Sequence, residues 1–322
     1  MRRVTLFLGL VLGVASPAAR AVVFYASGDP TYNSTVAAGT VQAACFQWVG
    51  SWGGYAGTPI GPYYFLTSKH VGGSIGQPFV FNGQNYVTTA NFDDASTDLR
   101  IWQVSTPFPT WAPIYRGSSE VGSPMIMISY GLSRGAAVNV NGHLAGWEWA
   151  DGTSEVLRWG ENTVASVVNG GSYWGSLLYA TFSASDNPNQ AGLAYLDSGG
   201  PIFINDGGTW EVAGVAAAVD GPFSTSSAGT NSFNASLFDA RGLYIQVAAG
   251  SWAQLGGPSP VPSGFYATQV SARTAWIDSI VPQTAVGDTP ALAPAQLLAL
   301  AAILGISGLW AIRRPARGAE IS

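Results

Sequence analysis

Ser198 lies in the pentapeptide Asp197-Ser198-Gly199-Gly200-Pro201, a hydroxyl between an acid and two glycines. A serine hydroxyl is a weak nucleophile until a base removes its proton. The chain holds two histidines, so there are two candidates for that base. His70 closes the string FLTSKH at the end of an apolar run, whereas His143, in NVNGHLAGWEW, reads as a turn before an aromatic strand. Asp98 follows His70 by 98 − 70 = 28 residues and opens DLRIWQV, a strand-like alternation with an acid at its mouth. Asp93 and Asp94 compete for the acid's role, but they read as part of an exposed turn. His, Asp and Ser in this order form one of the known chain orders for a nucleophile, its base and the group that orients the base.

The elements that must position these residues are strands. Of 322 residues, 47% are hydrophobic and 10% charged, with 41 glycines and 12 tryptophans. Short runs rich in Val, Tyr, Phe and Trp, broken by Gly, Asn, Ser and Pro, predict an all-β protein with a large core. Strands are expected at 63–67, 99–104, 125–130, 201–204 and 212–217, and a helix at 271–280. Trp147 and Trp149 are candidates for a surface position, while the other tryptophans read as core. Cys45, in AACFQWVG, is the single cysteine, so no intrachain disulfide can form, and it reads as a small buried hydrophobe.

FLTSKHV, DLRIWQV and LDSGGPIF resemble the histidine, aspartate and serine segments of the trypsin-like (chymotrypsin-fold) serine proteases. WEVAGVAAAV is similar to the strand that lines their substrate cleft. FYATQVSARTAWIDSIV resembles their last strand and closing helix. The resemblance covers residues 40 to 281. It implies two antiparallel β-barrels, with a boundary near residues 116–122 and the active site between them. His70 and Asp98 would come from the first barrel and Ser198 from the second. It implies an oxyanion hole formed by the amides of Leu196 and Ser198, although the family has glycine where this chain has Leu196. It implies a specificity pocket at Gly192, Ala217 and Val219, suited to small or medium apolar residues. It also suggests that Asp197 pairs with a freshly cut N-terminus, here Val22; the alternative is that VVFY is simply a first core strand. Residues 223–264, rich in Ser, Gly and Asn, are longer than this family needs, which implies an inserted surface loop.

Both ends read as addresses. Arg2 and Arg3, an apolar run from Val4 to Val14, and Ala19 and Ala21 form the layout of a signal peptide over 1–21, cut before Val22. After a linker over 282–290, an apolar segment at 291–312 is long enough for a transmembrane helix. Arg313, Arg314 and Arg317 in the tail 313–322 would stay cytoplasmic. TPALAP, an apolar helix and paired arginines resemble the C-terminal sorting signals of the PEP-CTERM type. The expected location is exported, periplasmic or at the cell surface, and anchored.

Residues 22–290 carry 7 basic and 17 acidic side chains, 7 − 17 = −10, without the basic stripe that phosphate contacts need. Nucleic acid is therefore not an expected partner, and the acidity suits a secreted bacterial protein. No metal-ligand spacing is present and no cofactor is expected. The expected partners are a protein or peptide substrate and the membrane. The expected function is that of a serine endopeptidase, the substitution at Leu196 leaving open a weak or inactive protease-fold binding module. An esterase using the same three residues is a third possibility.

Overall fold

A computed structural model describes residues 22–150 and 156–282. Six antiparallel strands close a barrel in the order Gly50–Trp52, Tyr55–Gly61, Tyr64–Ser68, Leu99–Val104, Gln84–Asp93 and Pro78–Phe81. Alternation sets which side chains face inward: Pro78–Phe81 buries Phe79 and Phe81 and exposes Pro78 and Val80. A two-residue Asn82-Gly83 turn with positive φ at both positions joins that strand to Gln84–Asp93. The barrel interior is aromatic, with Trp52, Phe65, Phe79, Phe81, Trp102 and Phe108 in one cluster. Phe65 stacks on Phe79 at 4.0 Å, and Trp52 meets Trp102 at 4.7 Å.

The second sheet has seven antiparallel strands: Arg158–Thr163, Pro124–Ser129, Pro201–Asp206, Thr209–Val219, Gly264–Gln269, Ser176–Thr181 and Ser166–Asn169. Its two edge strands are consecutive in the chain, separated only by Val164 and Ala165. One run of backbone therefore pairs with Pro124–Ser129 through its first half and with Ser176–Thr181 through its second. The sheet closes on itself through covalent continuity rather than a final ladder. The two closed layers meet over a shared core in which Leu66, Leu99 and Ile101 pack with Ile126, Ile128, Phe203 and Val212.

Cys45 is fully buried, and burial pushes its thiol up to about 12. The closing segment is a 3-10 turn at Ser271–Arg273 followed by an α-helix at Thr274–Ile280, anchored by Ile277. Three expectations need correction. Residues 223–264 are not a mere surface loop: Phe223–Ser224, Tyr244–Ala248 and Ser251–Gln254 form a small sheet. Ala235–Leu237 adds to the hairpin of Arg134–Val140 and His143–Trp149. Phe223, Leu237 and Leu243 are buried there in a separate apolar cluster. Trp147 and Trp149 belong to the interior, because this packing covers them. Asp94 is buried at 1% exposure rather than displayed in a turn, while Asp93 is exposed and pairs with Arg100. Among the described residues no helix is long and apolar enough to cross a membrane. The expected signal peptide, linker beyond Pro282, anchor and basic tail lie outside the described residues.

Candidate active site

Strand register brings His70 to Asp98. Tyr64–Ser68 runs antiparallel to Leu99–Val104, with Ser68 opposite Leu99. The chain leaving the first strand therefore meets the chain entering the second, and Lys69 N–H donates to the Asp98 carbonyl at 2.7 Å. His70 sits in the 3-10 turn Lys69–Val71. Its backbone N–H donates to Asp98 Oδ1 at 3.0 Å, and its Nδ1 lies 2.5 Å from Oδ2. Asp98 is fully buried, which keeps water from competing for its carboxylate. A hydrogen on Nδ1 leaves Nε2 as the acceptor, and Nε2 lies 2.7 Å from Ser198 Oγ.

Ser198 comes from the turn just before Pro201–Asp206, and a neighbouring hydroxyl ties that turn to the first barrel. Ser68 Oγ donates to the Ala216 carbonyl at 2.7 Å and accepts from Gly199 N–H at 3.2 Å. Ala56 N–H donates to the Ser198 carbonyl at 3.4 Å. The sequence does not single out Ser68; the only signal is its place beside His70 in the Thr-Ser-Lys-His run.

Asp197 is buried, with 1% exposure. Its carboxylate accepts from the backbone N–H groups of Gly131 and Ala194, both at 2.7 Å, and from Val22 N–H at 3.5 Å. Burial pushes it up to about 7, against the lowering effect of those donors. Gly131 is required by close approach, since a β-carbon there would lie 2.2 Å from the Asp197 carboxyl. Val22 and Val23 are fully buried, and Val23 pairs with Gly192. Arg158, buried across the ring of Phe24, donates from Nε to the Tyr32 carbonyl at 2.7 Å and holds this N-terminal segment down.

Leu196 has φ +70°, the left-handed region that glycine favours. Among the described residues no group accepts a hydrogen bond from the backbone N–H of Leu196 or of Ser198. Two unclaimed donors next to a nucleophilic hydroxyl can receive a developing oxyanion.

The cleft, about 390 Å³, is lined by Tyr55, His70, the segment Leu193 to Ser198, and Ala216 to Val219. Ala217 and Val219 stand on its wall. Gly192 does not: its place in the ladder with Val23 packs it against Phe182, and Leu193 lines the cleft instead. Two aromatic groups flank the cleft without a local sequence signal. Tyr195 is half exposed and packs on Trp149 at 4.6 Å, and Trp174 stands edge-on to His70 at 6.0 Å. His143 is exposed at the start of its strand, apart from this cleft. Among the described residues no group of His, Cys, Asp and Glu could hold a metal ion.

No protein-family model matches this chain, and no curated protein matches it. Among solved structures, it is similar to two crystal structures of the protease Rv3671c from Mycobacterium tuberculosis in its inactive form, one of them a serine-to-alanine mutant. In each case the identity is 16% and the TM-score 0.42, over 80% of this chain and 98% of that one.

Proposed function

We propose that this protein is a serine endopeptidase of the chymotrypsin-like type. The observation that carries the reading is the continuous path from Asp98 Oδ2 through His70 to Ser198 Oγ, with spacings of 2.5 and 2.7 Å, ending beside two unclaimed amides. Ser198 Oγ attacks the peptide carbonyl as His70 Nε2 takes its proton. Asp98 holds the imidazole in the required tautomer and stabilises its charged form. The oxyanion is received by the amides of Leu196 and Ser198. His70 then gives the proton to the leaving amine, forming an acyl-enzyme. A water molecule, deprotonated by His70, breaks that ester and returns Ser198 to its hydroxyl form.

The side chains of Leu193, Ala216, Ala217, Ala218 and Val219 are uncharged and small or branched, which suits a small or medium apolar residue before the cut bond. Export through residues 1–21 would leave Val22 as a free amine next to Asp197. That adds a cation beside a buried carboxylate that the amides of Gly131 and Ala194 already hold and that interacts electrostatically with the buried Arg158. The segment at 291–312 would tether the enzyme to the membrane, with the protease outside. Hydrolysis of peptides with alanine or valine before the cut bond tests the reading. Ser198→Ala and His70→Ala are each expected to lower kcat by 10⁴-fold or more. Equal rates in wild type and both variants would exclude it. No hydrolysis by folded wild-type protein would favour a binding module.

A further inference from the structure

We infer that Arg273 and Asp94 form a positioning clamp for the proposed catalytic acid Asp98, so that the C-terminal segment helps set the geometry of the triad. This rests on the serine-protease reading above. The loop from Asp94 to Thr97 immediately precedes Asp98, and two cations hold it. Arg273, from the 3-10 turn before the last helix, donates to both carboxylate oxygens of Asp94, from Nη2 to Oδ1 at 2.7 Å and from Nε to Oδ2. The same carboxylate accepts from Ser96 N–H at 3.0 Å, Ser96 Oγ at 3.1 Å and Thr97 Oγ1 at 2.8 Å. Thr97 Oγ1 in turn accepts from Leu99 N–H at 3.3 Å, so the network encloses Asp98 in the chain.

The second cation is Lys69, the residue before His70. Its Nζ donates to the carbonyls of Asp94 at 2.9 Å and Thr97 at 2.7 Å. Its third side is covered by the ring of Tyr173, 5.2 Å away. The loop also rests on the turn after the helix Gly171–Trp174. A β-carbon on Gly175 would lie 2.6 Å from Thr97 Cγ2 and 2.9 Å from the Ser96 carbonyl oxygen. His70 and Asp98 are thus aligned by a loop pinned from three separate elements. Asp94 is 1% exposed, so loss of Arg273 leaves a buried carboxylate without its counter-ion, and the loop must move to hydrate it. A displacement of about 1 Å at a catalytic group costs roughly a hundredfold in rate.

The experiment uses the full chain, with isotopically labelled histidine, in wild type, Arg273→Ala, Arg273→Lys and Thr97→Val. Two quantities are read: kcat per active site titrated with a fluorophosphonate, and the resonance of the His70 Nδ1 proton facing Asp98. Arg273→Ala is expected to lower kcat roughly ten- to a hundredfold with KM within about twofold. It should also shift or broaden the His70 proton, and Arg273→Lys should restore most of both. Thr97→Val should act in the same direction and keeps the comparison available if Arg273→Ala does not fold. An unchanged kcat and an unchanged proton resonance, whatever the loss in melting temperature, would overturn the clamp. If wild type turns over no substrate, the serine-protease reading fails on its own, and the His70 proton still decides the clamp. Its loss in Arg273→Ala supports the clamp, and its persistence overturns it.

Discussion

Leu196 holds a backbone angle that costs an L-residue about 1–2 kcal/mol, two residues before Ser198. The strain is borne because the turn is fixed on both sides, before it by Leu132 N–H donating to the Tyr195 carbonyl and after it by the buried Asp197 carboxylate. Leu196→Gly should therefore leave kcat/KM at or above the wild-type value, with peptide hydrolysis as the measure. A tenfold fall would mean that the side chain itself contributes to the site. Val219 stands on the cleft wall, so Val219→Gly should move the preference before the cut bond toward larger aromatic residues in a peptide profile. His70, Asp98 and Ser198 were legible because each adjoins a strand with a clear apolar pattern. Gly192 was misplaced because its orientation depends on pairing with Val23, a contact set by register far away in the sequence. Asp94 and Asp93 are adjacent and of one type. Only the arrival of Arg273 from the far end of the chain distinguishes a buried anchor from a surface acid.

Among the elements, the first barrel owes its closure to aromatic packing in a chain without disulfides. Trp102 is fully buried against Trp52 and Phe65. Trp102→Ala should cost about 3–5 kcal/mol, read from urea unfolding of the full chain. A loss under 1 kcal/mol would show that the barrel repacks freely. Two of its strands, Tyr64–Ser68 and Leu99–Val104, could be read from the sequence because an apolar pattern is a local signal; the other four were not singled out. The small sheet built from residues 223–254 could not be read in this way. Its strands are two to five residues long, and part of its core, Val138 and Ala145, comes from a hairpin some 80 residues earlier. The closure of the second barrel was hidden for a similar reason. The same run of backbone serves two ladders, and no single stretch of sequence reveals that.

Across the whole molecule, the N-terminal segment, the second barrel and the cleft converge on Asp197. Its carboxyl sits at about 7 when Val22 offers only an amide, well above the ordinary 3.8, because burial penalises the charge. The sign follows from proton counts. Below pH 4 the carboxyl is protonated whether the chain is folded or unfolded. Between pH 4 and 7 the unfolded chain gives up the proton while the folded chain keeps it, so stability falls with rising pH by about 4 kcal/mol at most. A chain with residue 22 blocked should therefore lose stability from pH 4 to 7 relative to Asp197→Asn. A free Val22 amine should reduce that loss, as urea midpoints across the window would show. Parallel pH profiles in all three forms would contradict the pairing of Val22 with Asp197.

The most direct measurement is labelling of the full chain by a fluorophosphonate, with the modified residue located by peptide mass. The expected result is one adduct, on Ser198, formed rapidly and lost in both His70→Ala and Ser198→Ala. Folded wild-type protein that acquires no adduct, or labels equally fast without His70, would contradict an activated serine and with it the enzymatic function proposed for this cleft.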